Sequence, residues 1–374
     1  MPVSVKFRHD RQIIVPLRFA RAVTGPAVAD APDIDDRGFA MGARPGTWGQ
    51  SKARGPMFGI TEGDTVRIKL VREDIDDTAP LFVTSTNTSV IRIVTPAAGQ
   101  RVPVDNTIRV QGVKDFANVP VAIQVRLGNP NGPIISEIEP HVFQLINLRV
   151  RIHLCNINGV STSRTEASVR ALFNEVNAIW RPAGVQFPDL EFVTTVINGF
   201  ANPGQVTTNL GGSPPSWNEF SRLINTNISR TRINIYCVVD CNDARGLTFD
   251  HDVARPAPGV TPTSEGFGIM LVDAADANDF AHELGHYLDL DDHTDDLGTT
   301  PPRFREDIWA RRCLMFRFNP YGDLTHATPA QAAFRNDTGY GMSMRGSLIT
   351  LKNLPGDNRD DEVNRARRRA RNPN

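Results

Sequence analysis

Ile269-Met270-Leu271-Val272-Asp273-Ala274-Ala275-Asp276-Ala277-Asn278-Asp279-Phe280-Ala281-His282-Glu283-Leu284-Gly285-His286 is the stretch on which the fold of the second half of this chain turns. The short apolar run Ile269 to Val272 predicts a buried strand ending at Asp273, and the small polar residues from Ala274 to Asp279 lead into a helix. Within that helix Phe280, Leu284 and Leu288 recur at every fourth position and predict one buried face. His282 and His286 are also four apart, so their imidazoles share another face and can reach one metal ion. Glu283 is offset to the side, where a carboxylate can take a proton from an attacking water without binding the metal itself. Gly285 costs helix propensity of roughly 1 kcal/mol relative to Ala, which predicts that another piece of backbone passes close to it.

A five-residue pattern can arise by chance on a surface helix, so its surroundings matter. Three of the eight histidines, His282, His286 and His293, fall within twelve residues, and the segment follows a strand and continues into a polar loop. A catalytic zinc ion held by two imidazoles needs a third protein ligand and an open position. The chain continues His286-Tyr287-Leu288-Asp289-Leu290-Asp291-Asp292-His293, leaving His293 or, at the alternative spacing, Asp292 as that ligand. Asp289, Asp291, Asp292, Asp295 and Asp296 crowd this loop and need compensation, from zinc, from a second hard cation such as Ca2+, or from arginines such as Arg303, Arg305, Arg311 and Arg312.

These residues resemble the metzincin clan of zinc peptidases, whose extended motif is HExxHxxGxxH or HExxHxxGxxD. The chain departs from it in having Asp289 at the glycine position and His293 one residue late. Arg312-Cys313-Leu314-Met315-Phe316 looks like the Met-turn of that clan, with Met315 the methionine beneath the metal, and Thr328-Pro329-Ala330-Gln331 opens a helix that fits its last one. The resemblance implies one catalytic Zn2+, a protein or peptide substrate, and an α/β domain with a mixed sheet and an HExxH helix.

Leu148, Val150, Ile152 and Leu154 alternate with polar residues and predict a strand with one buried face. Val169, Leu172, Phe173, Val176, Ile179 and Trp180 form a continuous helical stripe that stops at Pro182 and Gly184, with Ser163 and Glu166 as its capping box. Strands are expected at 192–197 and 233–239, with a short helix opened by Ser216 and Glu219. From Gly59 to Phe143 the pattern is short β-branched segments between turns, without a helix, the signature of a small β-sandwich. Within it, the segment from Phe82 to Ile93 resembles bacterial immunoglobulin-like domains.

The expected fold class is therefore α+β: an irregular segment over 1–56, a β-sandwich over 57–145, a metallopeptidase-like domain over 146–345 and a polar, basic, solvated tail over 346–374. The 374 residues carry 40% hydrophobic and 22% charged side chains and a net charge of -1, which gives no reason to expect nucleic acid or an anionic membrane as partner. No apolar run reaches the roughly 18 residues of a membrane span. The charged start shows no signal peptide, so a cytoplasmic protein or export without a cleaved signal is expected. The four cysteines are too scattered for a disulfide framework and are expected as buried thiols. The leading expectation for function is a zinc endopeptidase with Glu283 as general base. Its alternatives are a zinc amidase acting on cell-wall peptides and a non-catalytic binding protein with a structural zinc site.

Overall fold

The computed structural model describes residues 17–22, 34–35, 39–40, 57–72, 75–115, 121–208, 218–242, 245–249, 268–288, 290, 367 and 369–371. The chain is a mixed α+β protein, dominated by strands, with parallel and antiparallel pairing. Among the described residues ten strands come first: β1 (Leu17–Ala22), β2 (Ile34–Asp35), β3 (Phe39–Ala40), β4 (Met57–Thr61), β5 (Thr65–Arg72), β6 (Leu81–Ser85), β7 (Ile91–Thr95), β8 (Thr107–Gly112), β9 (Ile123–Leu127) and β10 (Ile134–Phe143). They form two five-stranded sheets, β2-β1-β5-β8-β7 and β3-β4-β10-β9-β6. Side chains of both sheets, among them Ile68, Ile108 and Val110 of one and Phe58, Leu81 and Ile123 of the other, meet in a single hydrophobic cluster. The short β-branched segments that predicted strands here supply much of this core, among them Ile68, Ile108, Val110 and Ile123.

The opening segment was expected to be irregular, but β1 pairs with β5 over five residues and β3 pairs with β4, so the first sheets recruit it. Its Gly- and Pro-rich composition hid these short strands, of which β1 finds its longest pairing in the more distant β5.

A second set of elements begins at Ile146. It contains β11 (Ile146–Ile157), β12 (Val160–Ser161), α1 (Glu166–Trp180), β13 (Val185–Ile197), β14 (Gln205–Val206), α2 (Asn218–Ile224), β15 (Ile233–Val238), β16 (Asp240–Cys241), β17 (Gly246–Phe249), β18 (Gly268–Val272) and α3 (Ala277–Tyr287). Its six-stranded sheet runs β12-β11-β15-β18-β17, with β13 also paired to β11. β13, β11, β15 and β18 are parallel, and β17 closes the sheet antiparallel to β18. All six residues of β15 and all five of β18 are buried, as expected for parallel strands covered on both faces.

The predicted stripe of α1 is the buried stripe: Val169, Phe173, Val176, Ile179 and Trp180 are all buried. Its cap lies elsewhere, however. Thr165 is the N-cap and Ser168 its reciprocal partner, two residues beyond the predicted pair, because Ser163 and Arg164 are held by the segment after β18. The end is as expected: Arg181–Ala183 tighten into a 3-10 turn and Gly184 takes the left-handed conformation, φ 68°. Ser216, the predicted partner of Glu219 at the start of α2, lies outside the described residues; the Glu219 carboxylate accepts the N–H groups of Ala201 at 2.5 Å and Thr207 at 2.7 Å.

Two arginines join the units. Arg181 makes a bidentate pair with Asp64, at 2.5 and 2.7 Å, and its carbonyl accepts the hydroxyl of Thr61 at 2.5 Å. Arg367 donates to the carbonyls of Ala183, Gly184 and Gln144 at 2.9, 3.0 and 2.8 Å, beneath the ring of Phe143. Burial lowers its pKa to about 10. The tail was expected to be solvated, yet Arg367 is 3% exposed and Ala370 joins the core of the second unit. A basic run looks like a tail until backbone carbonyls at a domain seam supply its partners. No helix among the described residues is long and apolar enough to cross a membrane.

Candidate active site

The site is carried by α3, and its placement begins at the helix start. Asp276 is the N-cap: its carboxylate accepts the N–H groups of Asn278 and Asp279 at 2.8 and 3.1 Å, while Asp279 returns a carboxylate oxygen to the N–H of Asp276 at 2.8 Å. Burial, and next the neighbouring charge of Asp276, push the Asp279 carboxyl above its ordinary pKa. The loop before the cap is pinned from the start of α1. Arg164 donates to the carbonyls of Asp273, at 2.6 Å, and Ala275, and the carboxylate of Asp273 accepts Thr162 and the N–H of Ser163.

The buried side of α3 is the predicted one, with Phe280, Leu284 and Leu288 all at 0% exposure. Phe280 meets Phe173 edge to face, ring centroids 5.9 Å apart, and the indole N–H of Trp180 donates to the carbonyl of Ala281 at 3.2 Å. These contacts set the rotation of α3 on α1 and hence where its histidines lie. Gly285 is buried, and its carbonyl accepts the N–H groups of Leu288 and Leu290, each at 3.0 Å, so the chain folds back there.

His282 and His286 converge. Their Nε2 atoms lie 3.1 Å apart, with the rings nearly perpendicular at 89°. The Nδ1 of His286 lies 2.8 Å from the carbonyl oxygen of Leu290. That oxygen can only accept, so Nδ1 carries the proton and Nε2 presents a lone pair toward His282. Two imidazole nitrogens at this distance are satisfied by one proton between them or by one shared cation. The spacing allows both to sit about 2.0–2.1 Å from a single zinc ion, and the backbone bond to Nδ1 is the kind of outer contact that orients a metal-binding histidine.

Glu283 is 7% exposed and lies under β17. The hydroxyl of Thr248 is 2.6 Å from its Oε2 and 2.9 Å from its backbone carbonyl oxygen. A methyl group at Gly246 would stand 2.6 Å from Cγ and 2.8 Å from Oε1 of the same glutamate. Neither Thr248 nor Gly246 emerges from the sequence as a site residue. β17 is four residues long and rich in neither alternation nor β-branching, and the one available signal was a glycine two positions before a threonine.

The remaining predicted residues, Asp292, His293 and Met315, lie outside the described residues, as does the acidic loop proposed for Ca2+. Among the described residues no group of three or more His, Cys, Asp or Glu side chains converges on a cation position. Cys155, Cys237 and Cys241 are buried free thiols, as expected; burial pushes Cys237 up to about 12. No family model, curated protein or solved structure matches the chain.

Proposed function

We propose that this chain is a zinc-dependent endopeptidase in which His282 and His286 hold the ion and Glu283 is the general base. The observation that carries this reading is the approach of the two Nε2 atoms to 3.1 Å on successive turns of a helix whose intervening carboxylate is buried under an edge strand. When bound, zinc supplies a Lewis acid that acidifies water and polarises a carbonyl. Glu283 then takes the proton of the attacking water and delivers it to the leaving amine, and its buried setting keeps bulk water from competing for that proton. Among the described residues no strand pairs with the outer side of β17, so an extended peptide can add there by main-chain hydrogen bonds and lie across α3.

On this reading the second unit is a metzincin-like domain and the paired sheets before it are an immunoglobulin-like β-sandwich. The mixed sheet with its antiparallel edge strand beside the HExxH helix supports the first assignment, and the shared core of two five-stranded sheets supports the second. His293 is the preferred third ligand, Asp292 its alternative, and Met315 the Met-turn residue.

Metal analysis and a casein digest test the proposal together. Wild type is expected to carry one zinc per chain and to cleave casein, whereas Glu283→Gln keeps the metal and loses about 10²- to 10⁴-fold in kcat. His293→Ala and Asp292→Ala identify the third ligand by which of them releases zinc. Cleavage by Glu283→Gln at the wild-type rate would sink the mechanism, and a wild type without metal would sink the reading as a whole.

A further inference from the structure

We infer that Thr248 is a positioning residue for the general base: its hydroxyl holds Oε2 of Glu283, so that Oε1 becomes the oxygen that handles the proton. The inference rests on the peptidase reading for the identity of the reaction and on the geometry of β17 for the role of Thr248. The register places Thr248 opposite Ile269, which in turn pairs with Ile235 and through it with Ile152. Side chains alternate along each strand, so Thr248 projects from the same face of the sheet as these three residues, the face that α3 covers.

The hydroxyl has one proton and two acceptors within reach, both on Glu283: Oε2 at 2.6 Å and the main-chain oxygen at 2.9 Å. The shorter contact is to the carboxylate, where an ionised acceptor makes the stronger bond. Gly246 closes the other side of the glutamate, since any side chain there would collide with Cγ and Oε1. The carboxylate is thereby held between a donor and a bare stretch of backbone, with one oxygen committed. A base fixed in this way need not search rotamers before each proton transfer, which is the advantage of a preorganised site.

The test uses the 374-residue chain with Thr248→Val, which deletes the hydroxyl, and Thr248→Ser, which keeps it. Thr248→Val is expected to bind zinc within about threefold of wild type but to lose roughly tenfold or more in kcat, with KM changed by less than about twofold, as for an interaction used after binding. Thr248→Ser restores kcat to within about threefold, which a merely structural role would not require. A second readout does not depend on turnover: the visible spectrum of the cobalt-loaded protein, sensitive to what surrounds the ion's open position, is expected to change in Thr248→Val and not in Thr248→Ser. Equal kcat and equal spectra for wild type and Thr248→Val would overturn the role of Thr248, as would equal losses in both variants. A wild type that binds cobalt and cleaves no peptide removes the peptidase reading alone, because the spectra still decide whether Thr248 holds the carboxylate. A wild type that takes up no metal overturns both.

Discussion

His153 and His286 belong to one domain, yet they sit on opposite sides of its sheet and are used in opposite ways. The ring of His153 is fully buried, stacked on Tyr236 with centroids 4.0 Å apart and planes 13° from parallel. Its Nε2 lies 3.2 Å from Oδ1 of Asn234, an oxygen that also accepts the N–H of Ser229, while its Nδ1 lies 2.9 Å from the Thr195 hydroxyl. Nε2 therefore carries the proton, and each ring nitrogen has a protein partner. His286 is the other tautomer, its Nδ1 proton spent on Leu290 and its Nε2 lone pair turned to His282. An imidazole satisfied by protein at both nitrogens is architecture; an imidazole tied down at one nitrogen, with the other facing a second imidazole, is built to share something with it.

Three experiments test that contrast. The largest effect is expected from His153→Ala, which opens a cavity and strands the side chains of Thr195 and Asn234, at a cost of about 4 kcal/mol of stability in a urea titration. Zinc content should be unaltered; loss of metal in this variant would erase the distinction.

Next comes acid. Burial depresses His153 to about 4 from an ordinary 6.5, so the unfolded chain binds its proton at higher pH than the folded one. Stability from this group is complete above about 6.5, falls as pH drops toward about 4 by roughly 1.4 kcal/mol per unit, and is level below that, a total of about 3 kcal/mol. His153→Gln should remove that component from the urea midpoint measured across this range. An unchanged pH slope in the variant would show that the ring is not held neutral.

The smallest effect belongs to the site. Zinc at about one hundred times its Kd should raise wild-type stability by about 2.7 kcal/mol, seen as a rise in Tm, and should do nothing for His286→Ala. A matching rise in both would mean that the ion binds somewhere else.

The same contrast explains which parts of the molecule are legible in the linear chain. The stripe of α1 and the buried face of α3 can be read directly, because helical periodicity depends on residues three and four positions apart. The pair of histidines and the adjacent glutamate are legible for the same reason. His153 reads only as the polar member of an alternating strand and Arg367 as one of a basic run, and Thr248 carries no local signal, because their partners lie 42 and 81 residues away for His153, as many as 223 for Arg367 and 35 for Thr248. The misplaced cap of α1 follows the same rule: local spacing favoured Ser163, but that residue's N–H was taken by Asp273, 110 residues on.

The linear chain already specifies where α1 and α3 form, which faces they bury and that two imidazoles and a carboxylate share one helical segment, since all of this follows from the geometry of 3.6 residues per turn. The meeting of the imidazoles at 3.1 Å, the antiparallel strand that closes over the glutamate and the contacts of Arg367 at the seam between the two units came from the fold. Those arrangements depend on which strands pair across long stretches of chain, and strand pairing is set by complementary buried surfaces that no local window contains.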